Sequence, residues 1–282
     1  MWILLSLIYA FTNAFYTNYN NKRRYNGYVL GMWRGFGVSF CISPLLLTIP
    51  LNISFDYLFI LIFQGILIGL YDSHIFFASA RYGANSGSGF MATSLLITVF
   101  LWWALEINEW QTLLKNPPYL ITLLLVLSAY SVSYWNMMRV KVNKRAEAYL
   151  YPAVFALSFM SIATRYIAIH GGTMYNGIVY YLTIACFVSG IYNLICYLQY
   201  KKNIPPLAYP TLKDGTHLII LSTILIAAKT AAMRLCENPG YVVAILLTSP
   251  ILTYIIQYRQ LNITPALLIN ISLLILLLIL VG

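Results

Sequence analysis

The sequence predicts an all-α membrane protein, with ten transmembrane helices arranged as two inverted five-helix repeats. Three observations lead there. Of the 282 residues, 61% are hydrophobic and 9% charged, with a mean hydropathy of +0.77, against about 25% charged in soluble domains. The chain divides into ten apolar runs, 2–19, 27–48, 57–80, 88–105, 118–136, 147–169, 174–199, 215–233, 240–258 and 263–281. Each approaches the roughly 17–25 residues that cross a ~30 Å hydrocarbon core as a helix. A short motif also occurs twice, as Arg81-Tyr82-Gly83-Ala84-Asn85-Ser86-Gly87 and Arg234-Leu235-Cys236-Glu237-Asn238-Pro239-Gly240.

The runs can be justified in order. The first has no basic leader and reaches the polar stretch Asn18–Arg24 without a small-residue cleavage site, so it reads as a retained helix and not a signal peptide. The second carries Gly31-Met32-Trp33-Arg34-Gly35-Phe36-Gly37, where glycine lets backbone or solute approach Arg34. The third holds Asp72 and His74. The fourth is rich in small residues, Ser86, Gly87, Ser88, Gly89, Ala92, Thr93 and Ser94, suited to close helix contact. It carries Trp102 and Trp103 and ends near Glu106 and Glu109, which read as capping or loop residues. The fifth runs into the polar stretch Asn136–Arg145. Residues 139–146 connect the halves 1–138 and 147–282, which are expected to form one cooperative membrane domain, because either half alone would expose its packing surface.

The sixth run contains Tyr151, Pro152, Arg165 and Tyr166, the seventh Cys186 and Cys196, the eighth Lys229, and the ninth Ser249-Pro250. The tenth is apolar except for polar residues such as Asn270, whose sequon, like those at Asn52 and Asn262, is disregarded as a three-residue match. Pro44, Pro152 and Pro250 free backbone carbonyls at kinks that could flex.

The two motif copies lie 153 residues apart, from Arg81 to Arg234, each between the third and fourth runs of a five-run half. Five is odd, so a second half that shares the fold of the first lies upside down relative to it, as in many secondary transporters.

The net charge of +10 gathers in odd-numbered loops: Lys22, Arg23 and Arg24; Arg139, Lys141, Lys144 and Arg145; Lys201, Lys202 and Lys213. Membrane orientation explains this better than nucleic acid, and the positive-inside rule makes that side cytoplasmic, with both termini outside. The four cysteines show no CxxC spacing, and no nucleotide loop, HExxH or GxSxG is present, so neither metal nor cofactor is expected.

An ionisable residue within a membrane helix costs at least about 2.5–3.5 kcal/mol and asks for a partner or a function. Shifted by 153 residues, Lys229 falls on Phe76, four residues from Asp72 and on the same helical face. Asp72 and Lys229 are therefore expected to face each other across a central cavity, either holding a zwitterionic solute or locking two helices as a plain ion pair. Arg34, Trp33, Trp102, Trp103, Tyr151 and Tyr166 complete the candidate substrate-binding set. Asp72 and His74 are candidates for proton coupling, although His74 points about 200° away from Asp72 on an ideal helix and has a packing role as its alternative.

The pattern resembles the drug/metabolite transporter superfamily in its ten-helix EamA-type form, over nearly the whole chain. The resemblance rests on Phe77-Ala78-Ser79-Ala80-Arg81 with the small-residue turn that follows, on Glu109 before Trp110-Gln111, on Ala231-Ala232-Met233-Arg234, on Ser249-Pro250, and on Arg34. Ile97 stands where a proline would match Pro250, and no glutamate accompanies Gln257–Gln260. The resemblance implies a secondary active transporter or exporter of a small metabolite, an amino acid or other amphipathic solute. Such a protein works by alternating access, is no enzyme, and is multi-pass in the plasma or inner membrane. It also implies cytoplasmic termini, opposite to the charge bias. The alternatives are a membrane-embedded enzyme acting on lipids through Asp72 and His74, and a non-transporting receptor or scaffold subunit.

Overall fold

Each apolar run carries helix. The structure, a computed structural model, describes residues 1–21, 23–50, 53–83, 91–139, 144–200, 209–258 and 264–281. Its helices are α1 (Trp2–Asn18), α2 (Gly27–Ile42), α3 (Phe55–Tyr82), α4 (Met91–Leu105), α5 (Ile107–Leu114), α6 (Pro117–Arg139), α7 (Lys144–His170), α8 (Met174–Tyr180), α9 (Cys186–Tyr200), α10 (Leu212–Leu235), α11 (Pro239–Leu246), α12 (Ser249–Tyr258) and α13 (Pro265–Val281). A 3-10 turn, Ser43–Thr48, prolongs α2, and a π-turn, Tyr181–Ala185, joins α8 to α9. There is no strand among the described residues.

Among the described residues, six helical segments are long and apolar enough to cross a membrane: Gly27–Thr48, Phe55–Tyr82, Pro117–Met137, Ala148–His170, Met174–Tyr200 and Leu212–Leu235. The apolar helices Ala92–Leu105, Pro239–Thr253 and Pro265–Val281 are shorter, and α1 has 17 residues.

Starts are set by side-chain caps that satisfy orphan amides. Asn26 accepts from the amides of Tyr28 and Val29, Ser54 from Tyr57, Thr173 from Asn176, Thr211 from Asp214, and Asn238 from Gly240. Asn238 is the asparagine of the second motif copy, so that copy starts α11. In the first copy Arg81 closes α3 and Gly83 follows at φ 91°, a left-handed conformation that suits glycine. Ala84, Asn85, Ser86 and Gly87 lie outside the described residues, as do Ser88 and Gly89.

Contacts between helix ends define the two ends of the bundle. At one, Tyr57 at the start of α3 donates to Ile167 O near the end of α7 (3.1 Å), and Tyr119 at the start of α6 donates to Leu280 O at the end of α13 (2.9 Å). Tyr180 donates to Pro50 O there as well. At the other end, Asn20 beyond α1 donates to Phe76 O of α3 (3.0 Å), Tyr19 donates to Asp214 O at the start of α10 (2.6 Å), and the Arg81 guanidinium lies 5.9 Å from the Tyr149 ring near the start of α7.

The helices pack α3 on α7, α1 on α10, α2 and α3 on α9, α2 on α10, α4 on α7 and α11, α1 on α11 and α12, and α6 on α13. Backbones of α2 and α9 approach closely: a Cβ on Gly35 would lie 2.6 Å from Gly190 Cα and 2.8 Å from Cys186 O. Gly27, Gly31 and Gly35 recur at four-residue intervals, the small-residue spacing that lets helices approach in lipid. Gly65 of α3 meets the same partner, where a Cβ would lie 2.6 Å from Val188 Cβ.

Candidate functional site: a buried charge cluster

Three ionisable side chains meet inside the bundle. Arg34 sits about 10 Å along α2 from its start, Asp72 about 15 Å before the end of α3, and Lys229 about 9 Å before the end of α10, at 1.5 Å per residue. Their residual exposures are 3%, 1% and 2%, so none reaches solvent or lipid by snorkelling.

The ion pair that forms differs from the one expected from the sequence. Asp72 Oδ2 lies 2.9 Å from Arg34 Nη1, so the carboxylate is matched by α2 and not by Lys229. The pair is close but not aligned as a hydrogen bond, and Arg34 Nε also has no hydrogen-bond partner among the described residues. Lys229 Nζ has none either. It lies 5.9 Å from the centroid of the Tyr9 ring and within electrostatic reach of Arg34. Tyrosines close the cluster: Tyr9, Tyr16 and Tyr71 stand near Arg34 and Asp72, and Tyr181 stands near Arg34.

Tyr181 belongs to the π-turn, and its hydroxyl accepts from Gln64 Nε2 at 2.5 Å, while Gln64 also donates to Thr164 Oγ1 at 3.1 Å. That network ties α3, α7 and the π-turn together beside the charges. Single π-turns inside helices often mark functional positions, because they displace side chains from the regular face.

The other residues singled out from the sequence lie elsewhere. His74 points out of the cluster; its Nδ1 is 2.8 Å from Leu70 O, and its ring packs 5.1 Å from Tyr149. Trp33 lies in an outer groove with Met32, Phe36 and Phe40, against Gly215. Tyr151 is 49% exposed. Tyr166 stacks on His170 at 3.9 Å. Trp102 and Trp103 are buried at the end of α4, where Trp102 Nε1 donates to Glu109 Oε2 at 2.6 Å and Trp103 packs on Phe100 and Trp110. Burial of Glu109 there raises its carboxyl pKa above the ordinary value, against the opposing bond from Trp102.

Both ends of α10 are fastened. Arg234 donates to Ala168 O and to Gly172 O (2.7 Å) at the end of α7, while Arg165 of α7 donates to Met233 O and to Arg234 O (2.8 Å). Each arginine thus satisfies the terminal carbonyls of the other's helix. At the opposite end Asp214 accepts from Tyr25 (2.7 Å) and Thr211 (2.7 Å) and pairs with Arg23 at 3.4 Å. Beside it a cavity of about 560 Å³ is lined by Phe15, Tyr19, Arg23, His217 and Ile256, among others.

The sequence reading did not single out Tyr9, Tyr16, Tyr71, Tyr181, Gln64 or Thr164. Gln64 had a usable signal as an uncharged polar residue deep in an apolar run. The tyrosines had none, being four among 24. Among the described residues no group of three His, Cys, Asp or Glu could hold a metal ion.

The fold is thus an all-helical one of membrane type around a buried charge cluster. No protein-family model matches the sequence, and no curated protein matches it.

Proposed function

We propose that this protein is a secondary active transporter of a small solute with a charged group, related to the drug/metabolite transporter superfamily in its EamA-type form. It would have ten membrane passes in two inverted halves, and Arg34, Asp72 and Lys229 would form the solute site. The observation that carries this reading is the cluster itself: three ionisable groups drawn from α2, α3 and α10, buried, with Lys229 hydrogen-bonded by no described residue. Intramembrane charge is costly, and when it faces a bundle interior it marks solute or ion paths.

The packing supports inverted halves. Count α8 and α9 as one segment, and α11 and α12 as another, so that exchanging halves exchanges α1 with α7, α2 with α8–α9, α3 with α10, α4 with α11–α12 and α6 with α13. The contact of α3 with α7 then has its mate in α10 with α1, α3 with α9 in α10 with α2, and α4 with α7 in α11–α12 with α1. The contacts α2 with α9, α4 with α11 and α6 with α13 map onto themselves. The end-to-end contacts also suit alternating passes, and the 3-10 turn, the π-turn and the break before Ser249-Pro250 supply irregular backbone of the kind transporters place near their sites. The separation of Asp72 from His74 counts against an acid/base pair acting on lipid.

Uptake of a broad panel of radiolabelled metabolites into proteoliposomes tests the proposal. At least one solute should accumulate or exchange, and Arg34→Met should abolish that flux. If no solute moves and none raises the thermal midpoint, the transporter reading fails.

A further inference from the structure

The three buried charges do not balance. Arg34 and Asp72 neutralise each other at 2.9 Å, and Lys229 adds an amine that no described residue hydrogen-bonds, with the Tyr9 ring 5.9 Å away. Water cannot compensate it cheaply at 2% exposure, and an isolated ammonium in a low-dielectric interior is among the most costly groups a fold can carry. The neighbours add no negative charge. Tyr9 offers a ring face, and Arg34 is a second cation with an unused donor at Nε. Two cationic donor groups on α2 and α10 therefore converge where a single carboxylate is already engaged. A zwitterionic solute would have to separate Asp72 from Arg34 to seat its ammonium, whereas an anion needs no such exchange. Tyr9, Tyr16, Tyr71 and Tyr181 stand around the cluster and bring phenol hydroxyls and rings to it.

We infer that the solute carries an oxyanion, a carboxylate or a phosphate, that docks on Lys229 beside Arg34. This rests on the transporter reading and narrows its substrate class from an amphipathic solute in general to an anionic one. Lys229 donates to the oxyanion, Arg34 adds field and a second donor, and Asp72 holds the guanidinium in place. A hydrogen bond to a charged group contributes about 1.5–3 kcal/mol, so the anion should be preferred over a neutral analogue by roughly ten- to a hundredfold.

One scaffold in four charge states tests this: N-acetylphenylalanine (anion), phenylalanine (zwitterion), phenylalaninamide (cation) and N-acetylphenylalaninamide (neutral). The same four on leucine, together with inorganic phosphate, separate the carboxylate from the phosphate and the aromatic from the aliphatic body. Each is measured by proteoliposome uptake and by thermal midpoint for the wild type, Lys229→Met and Lys229→Arg. The expected result is that an anion, either an N-acetyl amino acid or phosphate, is favoured at least about tenfold over its neutral and cationic counterparts. Lys229→Met should lose that preference while keeping a midpoint no lower than the solute-free wild type, and Lys229→Arg should retain it. Preference for the cation, the zwitterion or the neutral form, or an anion preference unchanged in Lys229→Met, overturns the inference and leaves the transporter reading standing. If no probe, and no member of the wider panel, moves or stabilises, both fall. Should Lys229→Met fail to fold, the wild-type charge preference and Lys229→Arg decide.

Discussion

Asp72 is the side chain on which the interior charge depends, because it is the sole acidic group in the cluster among the described residues. Replacing Asp72 with Asn would leave two buried cations facing each other, and breaking a buried pair from one side costs about 3–5 kcal/mol. A large drop in the thermal midpoint in detergent is expected. The double variant Arg34→Met with Asp72→Asn should lose less than the sum of the single variants, since it removes the pair together. That Asp72, Arg34 and Lys229 are charges set in or beside apolar runs was legible in the sequence, and all three are buried. Their pairing was not. Placing Lys229 opposite Asp72 used the repeat offset, which fixes level and face along two helices but says nothing of the rotation of α2, and that rotation brings Arg34 to the carboxylate first. Tyr16 and Tyr181 were invisible for a related reason: a tyrosine belongs equally well at a lipid interface or in a core.

At the level of elements, the apolar runs translated directly into helix, with ends moved by a few residues: 57–80 became Phe55–Tyr82, where Ser54 caps the start. The short helix α5 and the π-turn were not foreseen. The first is an eight-residue element after Glu106, too short for a periodic signal, and the second preserves the apolar pattern while adding one residue to a turn. The glycine spacing on α2 was read as room for backbone or solute near Arg34, and the space is filled by α9. Gly35→Ala should therefore lower the thermal midpoint, and Gly35→Leu should prevent α2 from seating, because the added atoms meet the Gly190 backbone, which cannot rotate away. Surface Gly172 at φ 79° offers a contrast: a substitution there strains the loop without entering a helix interface. Recovery of folded protein by size exclusion distinguishes the two cases.

For the whole molecule, charge divides the bundle. Arg23, Arg24, Arg81, Arg145 and Lys213 stand at or near one end with Asp214, whereas Asp56, Glu106, Glu109 and Glu237 stand toward the other with Lys115, Arg165 and Arg234, so net positive charge gathers at the first end. With Cys41 replaced by Ser, Glu106→Cys should react with an impermeant maleimide in intact cells, and Lys213→Cys only after permeabilisation; the reverse pattern would favour cytoplasmic termini, as the family resemblance implies. Arg81 and Arg234, the arginines of the two motif copies, both fall in the last turn of the helix before the next run. Their uses are unlike: Arg81 lies over the rings of Phe77 and Tyr149, while Arg234 binds backbone carbonyls of α7. A related asymmetry marks the fastenings of α10, the helix that carries Lys229. One end is held by guanidinium groups on main-chain oxygens, which no side-chain substitution can take away, and the other by a surface carboxylate shared among two phenols, a hydroxyl and an arginine. Salt weakens the carboxylate side more than the other, so rising ionic strength should loosen the Asp214 end of α10 before the Arg234 end.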